Sequence, residues 1–346
     1  LFGVVMFACG ALFVVAPFVT DAAGHAIWWL PQGVSTHADH VDRLFYVILG
    51  ITGFFFILTE ALLVVFMFQY AGKPSDGGVG GTPPHQEKMH ETSLFQRAFR
   101  PVTAILHNQH RVELTWTLVP AVILLYIAFA QVGTWLEIKD KSRQPAIGGK
   151  QVPIQVAVSA RQFEWRVRYP SSERLEKWIN NKNDKKWIDD FNRFARYPEQ
   201  DDVHLVNEVH TWMNPPPPGV KEPQGQTVLV HLSTIDVIHS FNIPHMRVKQ
   251  DALPGKTIPV WFTPTRANTR YDFKTKSLED GVDVETGRVE HSNYRWEIAC
   301  AELCGWGHHR MIGRVYVHKD HEDFIAWLKQ VEQKQGLPKE KILAAR

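Results

Sequence analysis

The chain has 346 residues, about twice the length of a typical domain, so more than one module is expected. Its 38 basic and 36 acidic residues nearly cancel to a formal +2, which gives no case for nucleic-acid binding. Twelve tryptophans and a mean hydropathy of −0.20 conceal strong segregation, because the apolar residues concentrate toward the N-terminal end.

Residues 1–20 form an uncharged run that ends at Thr20-Asp21. Such a run is either the core of a signal peptide or a membrane helix that just reaches spanning length, and we read it as an N-terminal transmembrane helix. Residues 44–70 are almost wholly apolar, with Glu60 their only charge, and are long enough to span a bilayer with some tilt. A carboxylate inside a span is costly toward lipid, so Glu60 is expected to face a neighbouring subunit. Residues 71–112 carry Lys73, Lys88, Arg97, Arg100 and Arg111, whereas 20–42 carry no Lys or Arg before the span begins. Positive residues favour the cytoplasmic side, so 71–112 should be a cytoplasmic loop. A further span covers 114–135, with Trp116 and Trp135 placed as interfacial anchors and Pro120 tolerable near its start. Glu113 marks its inner end and by position alone is an ordinary solvated residue. Everything after Trp135 then faces outside.

From about 150 to 320 the pattern changes to short β-rich runs such as Ile154-Gln155-Val156-Ala157-Val158 and Thr227-Val228-Leu229-Val230-His231-Leu232. Their alternation and Pro/Gly punctuation predict an all-β sandwich or Greek-key barrel. Within it, 171–202 is rich in Lys, Asp, Asn and Trp, and Trp178, Ile179, Trp187, Ile188, Phe191 and Phe194 recur at helical spacing, predicting a helical insertion. Residues 321–346 read as a short amphipathic helix and a polar tail.

The densest chemistry lies in Cys300-Ala301-Glu302-Leu303-Cys304-Gly305-Trp306-Gly307-His308-His309-Arg310-Met311. Sulfur plus imidazole suits copper, zinc or iron rather than magnesium or calcium. Cys304, His308, Met311 and the upstream His239 would complete a mononuclear copper site, which leaves Cys300 as a surplus thiolate. Two thiolates can bridge two coppers with His239 and His308 as terminal ligands, and the chemistry points to a binuclear centre. A structural zinc site or a Cys300–Cys304 disulfide would also use these thiols, though zinc leaves Met311 unexplained.

These residues resemble subunit II of haem–copper cytochrome c oxidase over roughly 44–318. The carrying blocks are Cys300-Ala-Glu-Leu-Cys-Gly-x-Gly-His-x-x-Met311 and Asp236-Val-x-His-Ser-Phe-x-x-Pro244. Lys249-Gln-Asp-Ala-Leu-Pro-Gly-Lys256 and Glu113-Leu-Thr-Trp-Thr117 add two more. The resemblance implies a membrane helical hairpin, here with an extra N-terminal helix, carrying a cupredoxin-like domain with a binuclear CuA centre. In that reading Cys300 and Cys304 bridge the coppers, His239 and His308 are terminal ligands, and Met311 and the Glu302 carbonyl are axial. The Glu302 carboxylate would reach a magnesium or manganese ion shared with subunit I, and Glu113 would stand at the mouth of a proton channel. Haem would belong only to the partner subunit. The function implied is the electron-input subunit of a proton-pumping terminal oxidase of the bacterial cell membrane, fed by a soluble or complex-bound cytochrome c. A CuA-bearing nitric oxide reductase and a membrane copper-delivery protein are the alternatives. One departure concerns the family's Gln-Trp-x-Trp motif, which here reads Gln162-Phe163-Glu164-Trp165. Phe163 replaces the Trp through which electrons enter, and Trp306 in the ligand loop is expected to take that role.

Overall fold

A computed structural model describes residues 10–12, 15–19, 29–70, 109–139, 152–180, 185–215, 224–284 and 295–337. It divides into two compact units, Leu1–Val19 with Arg43–Gly133, and Thr20–Asp42 with Thr134–Arg346. The expected N-terminal helix lies largely outside the described residues, of which 10–12 and 15 are helical and Ala16–Phe18 form a 3-10 turn. The expected cytoplasmic loop lies outside them as far as 108, as does the tail from 338.

Two long helices, α1 (Ala38–Tyr70) and α2 (Gln109–Lys139), make up most of the first unit, while their ends at 38–42 and 134–139 belong to the second. Their spans Ala38–Met67 and His110–Lys139 have mean hydropathies of 2.3 and 1.9 and are long and apolar enough to cross a bilayer. Three threonines inside them satisfy their hydroxyls along the helix. Thr52, Thr59 and Thr115 each donate a hydroxyl to the carbonyl four residues earlier, at 2.9, 2.7 and 2.7 Å. Both helices extend past the apolar runs. The first turn of α1 from Ala38 belongs to the β-rich unit, where Asp42 pairs with Arg247.

The second unit is a cupredoxin-like two-sheet sandwich. Its strands are β1 (Ile154–Arg161), β2 (Glu164–Tyr169), β3 (Val203–Val206), β4 (Glu208–Trp212), β5 (Val228–Thr234), β6 (His239–Ile243), β7 (Val248–Ala252), β8 (Ile258–Phe262), β9 (Thr269–Asp272), β10 (Ser277–Asp280), β11 (Trp296–Cys300) and β12 (Ile312–His318). One sheet runs β3-β2-β1-β5-β8 and the other β10-β9-β12-β11-β6-β7, with β4 also on β12. Most neighbours are antiparallel, but β1 pairs with β5, and β12 with both β4 and β9, in parallel. Alternation puts Ile154, Val156, Val158 and Ala160 of β1 inward against Trp165, Phe241, Phe262 and Trp296, all essentially inaccessible to solvent. Each such large side chain contributes about 2 kcal/mol by leaving water.

The helical insertion comprises α3 (Ser172–Asn180) and α4 (Lys185–Arg193). Trp178, Phe191 and Phe194 bury its apolar side, and a charged network closes its base. Arg174 donates to Asp202 at 2.5 Å and Asp190 at 2.9 Å, Arg168 donates to the other Asp202 oxygen at 2.5 Å, and Trp178 Nε1 donates to Asp190. A last helix, α5 (His321–Gln335), starts at the Asp320 cap and ends at Gly336, whose φ of 62° suits a residue without Cβ.

Ahead of α1, the segment 31–37 is strapped onto the sandwich. Val34 N donates to His245 O, Thr36 N to Thr263 O, and Ser35 Oγ to Met246 O. Arg247 then forks onto both carboxylate oxygens of Asp42, at 2.6 and 2.9 Å, and reaches the carbonyls of Pro31 and Pro244. Its φ of 56° lies in the left-handed region, an unusual place for a long side chain.

Candidate metal centre

β6 and β11 are antiparallel neighbours with Cys300 opposite Phe241, so the strand that begins at His239 brings this imidazole beside the strand that ends at Cys300. The loop 301–311 leaves β11 and returns as β12. Backbone bonds close its base, from Cys300 N to Met311 O at 3.2 Å and from Ala301 N to Ser240 O at 3.0 Å. A short 3-10 turn at His308–Arg310 folds the later donors back toward the thiols.

The donors form a symmetrical row. His239 Nδ1 is 3.8 Å from Cys300 Sγ, the two sulfurs are 3.8 Å apart, and Cys304 Sγ is 3.6 Å from His308 Nδ1. Met311 Sδ lies 4.0 Å from Cys304 Sγ, and the Glu302 carbonyl oxygen lies 3.3 Å from Cys300 Sγ. A disulfide requires sulfurs about 2.05 Å apart, and both thiols are free. Two atoms 3.8 Å apart can instead both bind one metal at about 2.3 Å. His239, Cys300 and Cys304 keep their ligand atoms within 4.8 Å of one another, and His308 stands outside that tight group. The sulfurs therefore sit between two imidazoles instead of all four donors surrounding one point, an arrangement that fits a pair of soft metal ions better than a single tetrahedral zinc. His239, Cys304 and Met311 are buried and His308 half-buried, while the Glu302 side chain is exposed.

Burial, and then the neighbouring Cys300, push the Cys304 thiol up to about 11. A cation bound here therefore displaces protons. Asp236, the first residue of the block that contains His239, supports the site. It accepts from His239 Nε2 at 2.8 Å, Gln162 N at 2.7 Å and Val237 N at 2.7 Å. Burial raises its pKa, yet these hydrogen bonds outweigh that effect and hold the carboxyl below the usual range. The ionised carboxylate makes His239 Nε2 the donor and leaves Nδ1 free to face the sulfurs. Its only sequence signal was an Asp three residues before a His.

The remaining expected residues are distributed as follows. Trp165 is fully buried on β2, its ring centroid 6.2 Å from that of His239. Phe163 is half-buried beneath the ligand loop and meets Trp306 edge-on at 5.3 Å. The fit is close, since a Cβ on Gly307 would lie 2.4 Å from the Phe163 ring. Trp306 itself is 80 % exposed, as is Leu303 at 79 %, and His309 also faces solvent. Glu113 lies near the start of α2 in the other unit, exposed and 3.7 Å from His110. Several acids of the β-rich unit are committed to internal partners. Asp202 is buried under Arg168 and Arg174, Asp201 accepts from Ser171, and Glu279 is held by Arg270.

Residues 91–132 match the model for the cytochrome c oxidase subunit II transmembrane domain, and 218–278 match that for the subunit II periplasmic domain, a stretch that includes His239. Cytochrome c oxidase subunit 2 of Thermostichus vulcanus is 25 % identical, covering 92 % of this chain and 83 % of that protein. The alternative cytochrome c oxidase subunit 2 of Bradyrhizobium diazoefficiens is 24 % identical, covering 90 % and 86 %. Among solved structures, the periplasmic domain of cytochrome oxidase subunit II from Bradyrhizobium japonicum aligns at 18 % identity and a TM-score of 0.30, covering 52 % of this chain and 94 % of that one. A heme-copper terminal oxidase dimer aligns at 15 % and 0.32, covering 61 % and 99 %.

Proposed function

The chain resembles subunit II of cytochrome c oxidase in both its membrane and its external parts, and on that premise we propose that it is the electron-input subunit of a terminal oxidase. The observation that carries this reading is the pair of free thiols 3.8 Å apart with an imidazole beside each. Cys300, Cys304, His239 and His308 would hold a binuclear copper centre, with Met311 and the Glu302 carbonyl as further donors. Bound there, the copper pair supplies one-electron acceptance and release without a vacant position for substrate. The exposed Glu302 carboxylate suits a hard magnesium or manganese ion at the contact with subunit I. Haem and dioxygen reduction, coupled to proton pumping, belong to that partner.

Cytochrome c is the proposed donor. The exposed Trp306, packed on Phe163, gives it an aromatic surface directly on the ligand loop, with Trp165 buried behind His239. Glu113 is proposed to stand at the mouth of a proton path on the cytoplasmic side, and the β-rich unit to face outside. That orientation rests on the basic residues between the two long helices. The buried Met311 and the closed base of the loop suit a resident metal better than one in transit.

Electron paramagnetic resonance of the copper-loaded full chain tests the reading. Hyperfine structure from one electron shared equally by two coppers is expected. The pattern of an electron confined to one copper would overturn it.

A further inference from the structure

A second set of ligating side chains converges away from the sulfur centre. His37 lies in the turn before α1, His40 in its first turn, and Glu137 in the last turn of α2. His37 Nδ1 is 3.5 Å from Glu137 Oε1, and His40 Nδ1 is 3.3 Å from Glu137 Oε2. His37 is only 5 % exposed, and neither of its ring nitrogens has a hydrogen-bond partner. A buried imidazole left in that state costs about 1–3 kcal/mol, so it calls for an explanation.

The ring has little freedom to find a partner elsewhere. Trp261 meets it edge-on at a centroid distance of 4.3 Å, and Trp261 is itself fixed through Nε1, which donates to Ile138 O at 3.1 Å. The two N···O separations are longer than an ordinary hydrogen bond of about 2.7–3.2 Å. They match the spacing of two ligands that share one ion. Nitrogen and oxygen each about 2.1 Å from a tetrahedral zinc stand about 3.4 Å apart. Burial also favours the neutral imidazole, which is the form that ligates.

We propose that His37, His40 and Glu137 form a binding site for a divalent transition cation of the zinc class, which clasps the segment ahead of α1 to the end of α2. Two imidazoles and a carboxylate are a zinc ligand set, with water completing the shell. The side chains of His40 and Glu137 are 55 % and 40 % exposed, which gives the ion a path from solvent. The three donors are spread more widely than those of the sulfur centre, and the exposed His40 ring has the freedom to close the difference.

The test is zinc retention by the copper-loaded full chain after incubation with zinc chloride and desalting, compared with His40→Ala and Glu137→Gln. One additional zinc per chain is expected in the parent, with affinity reduced about tenfold or more in each variant and copper content unchanged. Zinc K-edge absorption should show nitrogen and oxygen neighbours only. Equal zinc retention by parent and variants, or sulfur in the zinc shell, would overturn the proposal. His40 is exposed, so its replacement leaves the fold in place, and thermal unfolding of His40→Ala without zinc should match the parent.

Discussion

Asp236 Oδ1 accepts a 2.8 Å hydrogen bond from His239 Nε2, the ring nitrogen opposite the one that faces Cys300. The same carboxylate receives the backbone N–H of Gln162, next to the Phe163 that underlies the ligand loop. One side chain therefore orients a proposed ligand and fixes the turn beneath the others.

Asp236→Asn should weaken copper binding about ten- to a hundredfold, the usual effect of losing a carboxylate behind a ligating histidine. An amide can donate toward Nε2 and favour the wrong tautomer. Competition titration against a copper chelator measures the change, and an affinity equal to that of the parent would remove Asp236 from the site.

Trp306→Leu should leave the copper spectrum intact while impairing donor docking. Truncating a tryptophan anchor at an interface costs about 2 kcal/mol, or roughly thirtyfold in affinity. Steady-state oxidation of reduced cytochrome c by the assembled oxidase should show this as a raised KM, and stopped-flow injection as a slower first phase. Unchanged values would assign Trp306 to loop packing on Phe163.

Arg247→Ala should destabilise the β-rich unit by about 1–3 kcal/mol, since Asp42 and two carbonyls lose a largely buried donor. Arg247→Gly relieves the positive φ and should recover only part of the loss. Chemical denaturation of the two variants separates backbone strain from the anchor. An alanine variant as stable as the parent would show that the fork contributes nothing.

Stability should fall on acidification. Burial lowers His231 to about 4, with Arg168 adding to the effect, and lowers His245 to about 4 in the same way beside Arg247. Burial also lowers His318, outweighing the attraction of Asp323. Below the ordinary value of about 6.5 the unfolded chain binds protons that these folded histidines refuse. Their contribution is thus complete above about pH 7 and is lost as pH falls toward 4, by about 1.4 kcal/mol per pH unit for each histidine. Melting temperature against pH checks this, and His231→Gln should flatten the slope. A curve that rises on acidification would contradict it.

The ligand row was legible because four of its members fall within twelve residues and differ chemically from their surroundings. His239 lies 61 residues before Cys300 and was legible only as an imidazole available to complete the donor set. The helical insertion announced itself through Trp178, Phe191 and Phe194 at helical spacing. Asp236 was not legible in its role, because an aspartate in a turn looks the same whether it meets water or an imidazole. The role of Asp202 is hidden for a related reason. Asp202 is adjacent in sequence to exposed polar residues, but Arg168 and Arg174 reach it only once the insertion folds back. Parallel pairing of β4 with β12 left no trace either, since alternation reports which face is buried and says nothing of strand direction.

The closed base of the loop has a consequence for the order of events in biogenesis. Cys300 N on Met311 O and Ala301 N on Ser240 O are backbone bonds, and neither needs a metal to form. Nor does the contact between His239 and Cys300, which are 61 residues apart and meet when β6 and β11 pair. A zinc finger must bind its ion to fold at all. Backbone ties of this kind predict that the sandwich folds without an ion and that the proposed copper would be loaded in a separate, later step, and thermal unfolding of the chelator-treated chain checks it.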